Sequence, residues 1–137
     1  MRFNALEDID REAWLTRAIC DALAIQRSDP GRPIGNILDR CLYGTAAEQW
    51  LIEHSGFTNN DEKYQDLLDE FHNRVEIKTT GCVNYVPFVL ERLEENAKEP
   101  WRNVPETVMV FIGDDKTFEY ELHATYDFNQ KRKLIKR

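Results

Sequence analysis

Five consecutive apolar residues, Val108-Met109-Val110-Phe111-Ile112, constrain this chain more than any other feature. A strand that is apolar on both faces must be covered on both, so it belongs in the middle of a layered structure. The segment before it, residues 84–98, repeats Val86, Leu90, Leu93 and Ala97 at helical spacing, and Pro87 suits its first turn. That helix has the length of a crossover. Beyond the apolar run, Gly113-Asp114-Asp115-Lys116 marks a turn, and Phe118, Tyr120, Leu122, Ala124 and Tyr126 alternate as a half-buried strand.

The first half of the chain reads as two helices and two strands. Residues 10–26 place Leu15, Ala18, Ile19 and Ala22 at helical spacing behind Asp8 as N-cap, with Trp14 beyond that face. Ser28-Asp29-Pro30-Gly31-Arg32-Pro33 ends this helix. A second helix runs from about 36 to 55 and is closed by Gly56. Residues 63–69 and 73–80 follow as two short strands joined by a tight turn, the second β-branched at Val75, Ile77, Thr79 and Thr80. The order α-α-β-β-α-β-β places the chain in the α/β class. Its 137 residues make a single domain, with a helix at 8–28 appended to a core at 36–126 and a basic tail at 131–137.

Composition narrows the function classes. With 42% apolar and 31% charged residues there is material for a core but no run long enough to span a membrane. Acidic residues come before any apolar run of signal-peptide length, so the expected location is the cytoplasm, without membrane attachment. Cys20, Cys41 and Cys82 form no Cys-x-x-Cys pair, which points to buried thiols rather than disulfides or a cysteine metal site. His54, His72 and His123 lack zinc-ligand spacing, and there is no Gly-rich phosphate loop. The net charge is −7, but residues 131–137 hold five basic and no acidic side chains. Residues 1–130 therefore carry 13 basic against 25 acidic. The tail reads either as a solvated terminus or as a phosphate-contacting strand or arm.

Chemistry is concentrated in Tyr64-Gln65-Asp66-Leu67-Leu68-Asp69 and Val75-Glu76-Ile77-Lys78-Thr79-Thr80. A three-residue turn at 70–72 sets Leu67 opposite Val75 and Asp66 opposite Glu76. Alternation then puts Leu67, Val75 and Ile77 on a core face, and Asp66, Glu76 and Lys78 on the other. Two opposed carboxylates repel unless a cation lies between them, which suits a hard metal, Mg²⁺ with Mn²⁺ as a substitute. Lys78 points into the same space, where an ammonium can hold a water or stabilise charge developing on a phosphate. Asp69 competes as first carboxylate, but in this register it lies roughly 10 Å from the pair.

The second helix adds a fourth group. Cys41, Gly44, Leu51 and Ile52 fall within about 60° of Ile37 around the helix, and Glu48 sits in the middle of that apolar stripe. A carboxylate there needs a partner: a metal at the sheet, or an arginine such as Arg40 or Arg74. Gly44 would let the helix approach the sheet closely.

A helix with an inward Glu, a strand bearing Asp, a hairpin into Glu-x-Lys, a crossover helix and a further apolar strand resemble the PD-(D/E)xK nuclease superfamily over residues 36–125. The resemblance implies a restriction-endonuclease-like mixed β-sheet flanked by helices. Asp66 and Glu76 would be its metal-binding carboxylates, the carbonyl of Ile77 a further metal ligand and Lys78 the catalytic lysine. Glu48 matches the helix glutamate that many members place beside the metal. Gln65 stands where the motif has proline.

The implied function is a divalent-metal-dependent DNA endonuclease of restriction, homing, junction-resolving or phage type, acting on double-stranded DNA. Thr79, Thr80, Asn84 and Tyr85 follow the Glu-x-Lys strand and are candidates for DNA contact, with Lys131, Arg132 and Lys133 for the phosphate backbone. One site per subunit calls for a homodimer or higher homo-oligomer, with the N-terminal helix as its contact element. The rival reading is an acidic DNA mimic or a non-catalytic nuclease-fold binding module, neither needing metal.

Overall fold

The computed structural model describes residues 2–59, 67–81, 83–96, 106–113, 117–127 and 133–136. Strand β1 (Arg2–Asn4) and a 3-10 turn at Ala5–Glu7 precede helix α1 (Arg11–Ser28). The N-cap of α1 is Asp10 rather than Asp8, which instead closes the 3-10 turn. Oδ1 of Asp10 accepts from the N–H groups of Glu12 and Ala13 at 3.0 and 3.1 Å. Its own N–H donates to the carboxylate of Glu53 at 2.9 and 3.0 Å, which fixes the start of α1 to the end of the next helix.

That next helix, α2 (Ile34–His54), is covered on two sides, by α1 and by the sheet. Its buried residues Ile37, Cys41, Leu51 and the run from Thr45 to Gln49 consequently exceed a single stripe. Ala18 and Ala22 of α1 pack on Ile37 and Cys41. Trp14, expected outside the core face, is buried, and its Nε1 donates to the Leu42 carbonyl at 2.9 Å. Leu15 and Ile19, expected inside, are exposed. Trp14, Ala18 and Ala22 recur every four positions and so share one face of the helix, whereas Leu15 and Ile19 each lie one position on, about 100° around it. After α2 the chain turns at Gly56, whose φ of +71° favours glycine.

The remaining strands are β2 (Thr58–Asn59), β3 (Leu67–Leu68), β4 (Arg74–Thr80), β5 (Glu106–Gly113), β6 (Glu119–Asp127) and β7 (Lys133–Lys136). A 3-10 turn (Val83–Tyr85) and helix α3 (Val86–Asn96) lie between β4 and β5. The sheet order is β1-β6-β5-β4-β3-β2, with β7 also paired to β6. Among the described strands only β4 and β5 run parallel, from Arg74↔Glu106 to Thr80↔Ile112, as their long connection through α3 requires. The chain is thus mixed α/β, and the apolar run of β5 lies between β4 and β6 with Val110 and Phe111 fully buried. On β6 the pairing shifts between Ala124 and Leu122, leaving His123 as a bulge.

One sheet face carries Leu67, Val75, Ile77, Phe111, Tyr120 and Leu122, which form the main core with Ala46, Ala47 and Leu51 of α2 and Trp14 of α1. Burying each large side chain contributes roughly 1.5–3 kcal/mol. Phe3 of β1 stacks on Trp50 with centroids 4.0 Å apart, so the first strand is sealed onto α2. Gly113 lies under the Tyr120 ring, where an added Cβ would stand 2.8 Å from Cε1. The Tyr120 hydroxyl donates to the Tyr43 carbonyl, and burial pushes its ionisation far above the ordinary phenol value.

Strands β1 and β2 were not expected, being too short to show a period of two. The first strand of the expected hairpin is described only at Leu67–Leu68; residues 63–66 lie outside the described residues, as do 97–98 and 114–116. Cys41 is buried, whereas Cys20 is exposed, against expectation; Cys82 lies outside the described residues. Among the described residues no helix is long and apolar enough to cross a membrane.

Candidate functional site

The hairpin between β3 and β4 has the register that its turn length dictates. Leu67 pairs with Val75 and Leu68 with Arg74, and the Asp69 N–H donates to the Asn73 carbonyl at 2.9 Å, leaving 70–72 as the turn. His72 closes it at φ +62°. Oδ1 of Asp69 accepts from the N–H groups of Phe71 and Asn73, both at 2.8 Å, and Oδ2 from Asn73 Nδ2 at 3.3 Å. This carboxylate therefore builds the turn, an Asx arrangement that leaves it little capacity for a metal. Asp66, the other candidate, lies outside the described residues.

Alternation along β4 sends Val75 and Ile77 into the core and Glu76 and Lys78 to the opposite face. Lys78 Nζ lies 3.2 Å from Glu76 Oε1. The two partners differ in solvent access: the Glu76 side chain is 11% exposed and the Lys78 side chain 43%. Burial of the carboxylate distinguishes the pair from an ordinary solvated strand face. Along β4, the described residues of β3 reach Arg74 and Val75, at the start of the edge that continues through Ile77.

Glu48 comes to this edge from α2 and is 8% exposed. An arginine that the sequence did not single out, Arg17 of α1, pairs with it, its Nη2 3.8 Å from Glu48 Oε1. Arg17 also donates to Asn59 Oδ1, so it ties α1 to β2 as well. A cavity of about 440 Å³ is lined by Asp21 of α1, by Gly44, Thr45 and Glu48 of α2, and by Ile77 and Lys78 of β4. Glu48, Ile77 and Lys78 thus share one cleft, and Glu76 meets it through Lys78 without lining it. Gly44 does not permit a tight helix–sheet contact as expected; a Cβ there would meet nothing within 4 Å, so the residue borders open space.

Two residues at the cleft escaped the sequence reading. Partial burial raises the Asp21 carboxyl above its ordinary range, and the neighbouring Arg17 partly offsets the rise. Arg17 sits between the buried Trp14 and Ala18 turns of α1, a position recognisable only once the contact face of that helix is known. Burial, with Asp21 and Glu48 adding to it, also raises the Cys41 thiol, while Arg32 lowers it.

Thr79 and Thr80 are half-buried and line adjoining cavities, while Asn84 is exposed in the 3-10 turn before α3. Lys131 and Arg132 lie outside the described residues. Lys133 begins β7, opposite Asp127, so 133–136 is a strand rather than a solvated terminus.

The described donors around the cleft, Glu48, Glu76 and the Ile77 carbonyl, are hard oxygens of the type Mg²⁺ or Mn²⁺ takes. Among the described residues no three acidic, histidine or cysteine side chains converge closely enough to hold an ion. A complete ligand set would need Asp66. No known protein family, curated protein or solved structure matches the chain.

Proposed function

We propose that the chain is a Mg²⁺-dependent DNA endonuclease of the PD-(D/E)xK type, with Mn²⁺ as an alternative cofactor, working as a homodimer or higher homo-oligomer. The observation that carries this reading is the buried Glu76 ion-paired to Lys78 at 3.2 Å, on a strand whose Ile77 and Lys78 share a cleft with a second buried carboxylate, Glu48. Two buried acids so close to one cleft are costly for a purely structural surface, and a charged ligand offsets that cost. The mixed sheet, the hairpin register and the parallel β4–β5 pair support the same reading.

Glu76, Asp66, Glu48 and the Ile77 carbonyl would hold the metal, which when bound polarises the phosphate and lowers the pKa of a water. Lys78, half-exposed at the mouth of the cleft, donates hydrogen bonds to the attacking water or to the charge that grows on phosphorus-bound oxygen. Glu76 keeps the ammonium in place, and Arg17 restrains Glu48. Water adds to phosphorus and the bond to the 3′ oxygen breaks, leaving 3′-hydroxyl and 5′-phosphate ends.

Purified protein incubated with supercoiled plasmid, linear duplex and branched duplex in Mg²⁺, Mn²⁺ or EDTA tests the reading. Nicking or discrete cutting in metal, absent in EDTA and absent in Glu76→Ala, is the expected result. Intact substrates throughout, with no metal uptake by calorimetry, would instead favour an acidic binding module, which the net charge of −7 suits.

A further inference from the structure

The carboxylate cleft does not end at Lys78. That residue and Thr79 also line a second cavity of about 440 Å³, whose wall carries Arg32 from the α1–α2 connection, Arg40 from α2 and Arg92 from α3. Arg40 and Thr79 in turn line a third, of about 350 Å³, which reaches Tyr85 in the turn before α3. Shared residues make the three cavities one run, from Glu48 past three arginines to a tyrosine. Tyr85 is 59% exposed, and Phe88, three residues on, is 67% exposed.

The arginines are distinctive because of what they lack. Ion pairs among the described residues are Arg2–Glu119, Arg17–Glu48 and Lys78–Glu76; Arg32, Arg40 and Arg92 enter none of them. In a chain with 25 acidic and 18 basic residues, carboxylates to neutralise these three are plentiful. Three arginines from three elements, none in an ion pair among the described residues, line one cavity, which suits it to an external anion. Their fork geometry suits phosphate oxygens.

Resting on the hydrolytic reading of the adjoining cleft, we propose that this run binds an unpaired DNA strand, with backbone phosphate at Arg32, Arg40 and Arg92 and a base stacked on Tyr85. A cationic groove with an exposed aromatic ring in its wall is the arrangement by which proteins hold single strands. Stacking on a side chain requires a base released from its own duplex stack. Each cavity has the size of a small-ligand cleft, roughly 300–1,000 Å³, which accepts parts of a single strand rather than a double helix. The substrate is therefore a single-stranded end, flap or branch leading its phosphate toward Lys78.

Fluorescence anisotropy of a labelled single-stranded oligonucleotide and of the blunt duplex of the same sequence, in EDTA and at low salt, tests this apart from any catalysis. The single strand is expected to bind at least about tenfold tighter than the duplex. Arg40→Ala and Arg92→Ala should each weaken it several-fold and flatten its salt dependence. Tyr85→Ala should weaken it about tenfold and Tyr85→Phe should not. All three positions are exposed, so unchanged circular dichroism is the folding control.

Equal affinity for duplex, indifference to the arginine variants, or no binding of either DNA would overturn the proposal. Calorimetric titration of Mg²⁺ and Mn²⁺ separates it from the catalytic reading. Strand binding without metal uptake leaves the groove and removes the nuclease; metal uptake without strand binding does the reverse.

Discussion

The helical layer and the strand β4 each carry a buried glutamate, Glu48 lining the cleft and Glu76 reaching it through Lys78, and they compensate it by different means. Glu76 has its cation two residues away, on the same strand face, where the pleat alone brings them together. Glu48 has a cation on another helix, 31 residues earlier in the chain, and meets it only when α1 docks through Trp14, Ala18 and Ala22. The first pair is local and its lysine half-exposed; the second is tertiary and has side chains only 19% and 10% exposed. A local pair can be spent on chemistry with little effect on the fold, whereas a tertiary pair belongs to the fold first.

Removing the local cation has the largest expected effect. Lys78→Ala should lower DNA cleavage by about 10²–10⁴-fold, the usual size of a lost proton-handling group, while metal uptake persists. Its unfolding free energy in urea should change by less than about 1 kcal/mol, since a pair with a half-exposed partner contributes little stability. A Lys78→Ala protein that cleaves normally would cancel the role assigned to the lysine.

Removing the tertiary cation should reverse the balance. Arg17→Ala removes the guanidinium partner of Glu48 and loosens α1, at an expected cost of about 1–2 kcal/mol in urea unfolding. Adding Glu48→Gln should recover part of that loss, because an amide does not need the guanidinium; a double variant no more stable than Arg17→Ala would show that the two groups are not coupled.

The smallest effect concerns Asp21, beside both. Its carboxyl is raised in the folded state, so the native form favours the proton: the group costs nothing below the unfolded carboxylate value and destabilises as pH rises through the folded one. Asp21→Asn should therefore raise Tm slightly at pH 7, by about 0.5 kcal/mol or less in stability, with the gain vanishing near pH 3. A gain equal at both pH values would trace to something other than charge.

The same contrast explains how much was legible in the sequence. Glu48 was found because α2 carries its periodicity across 21 residues and an acid interrupting an apolar stripe is visible without any partner. The hairpin register followed from turn length, and Leu67↔Val75 agrees with it. The partner Arg17 was not legible, since the sequence places the face of α1 at Leu15, Ala18, Ile19 and Ala22, while the contact is rotated onto Trp14, Ala18 and Ala22. Strand β1 pairs with residues 119–121, more than a hundred positions away, and three residues hold no pattern that announces such a pairing. The arginine groove was hidden for a related reason: Arg32, Arg40 and Arg92 are unremarkable one at a time, and only the fold brings them to one wall.

Both outer strands lie along a single edge of β6. Arg2 stands opposite Glu121 and Lys136 opposite Ala124, so the two positions are neighbours end to end, roughly 10 Å apart along that strand. Between them they cover the side of β6 away from β5 at Glu119–Glu121 and at Ala124–Asp127, so little of that strand is left as a template for another strand to join.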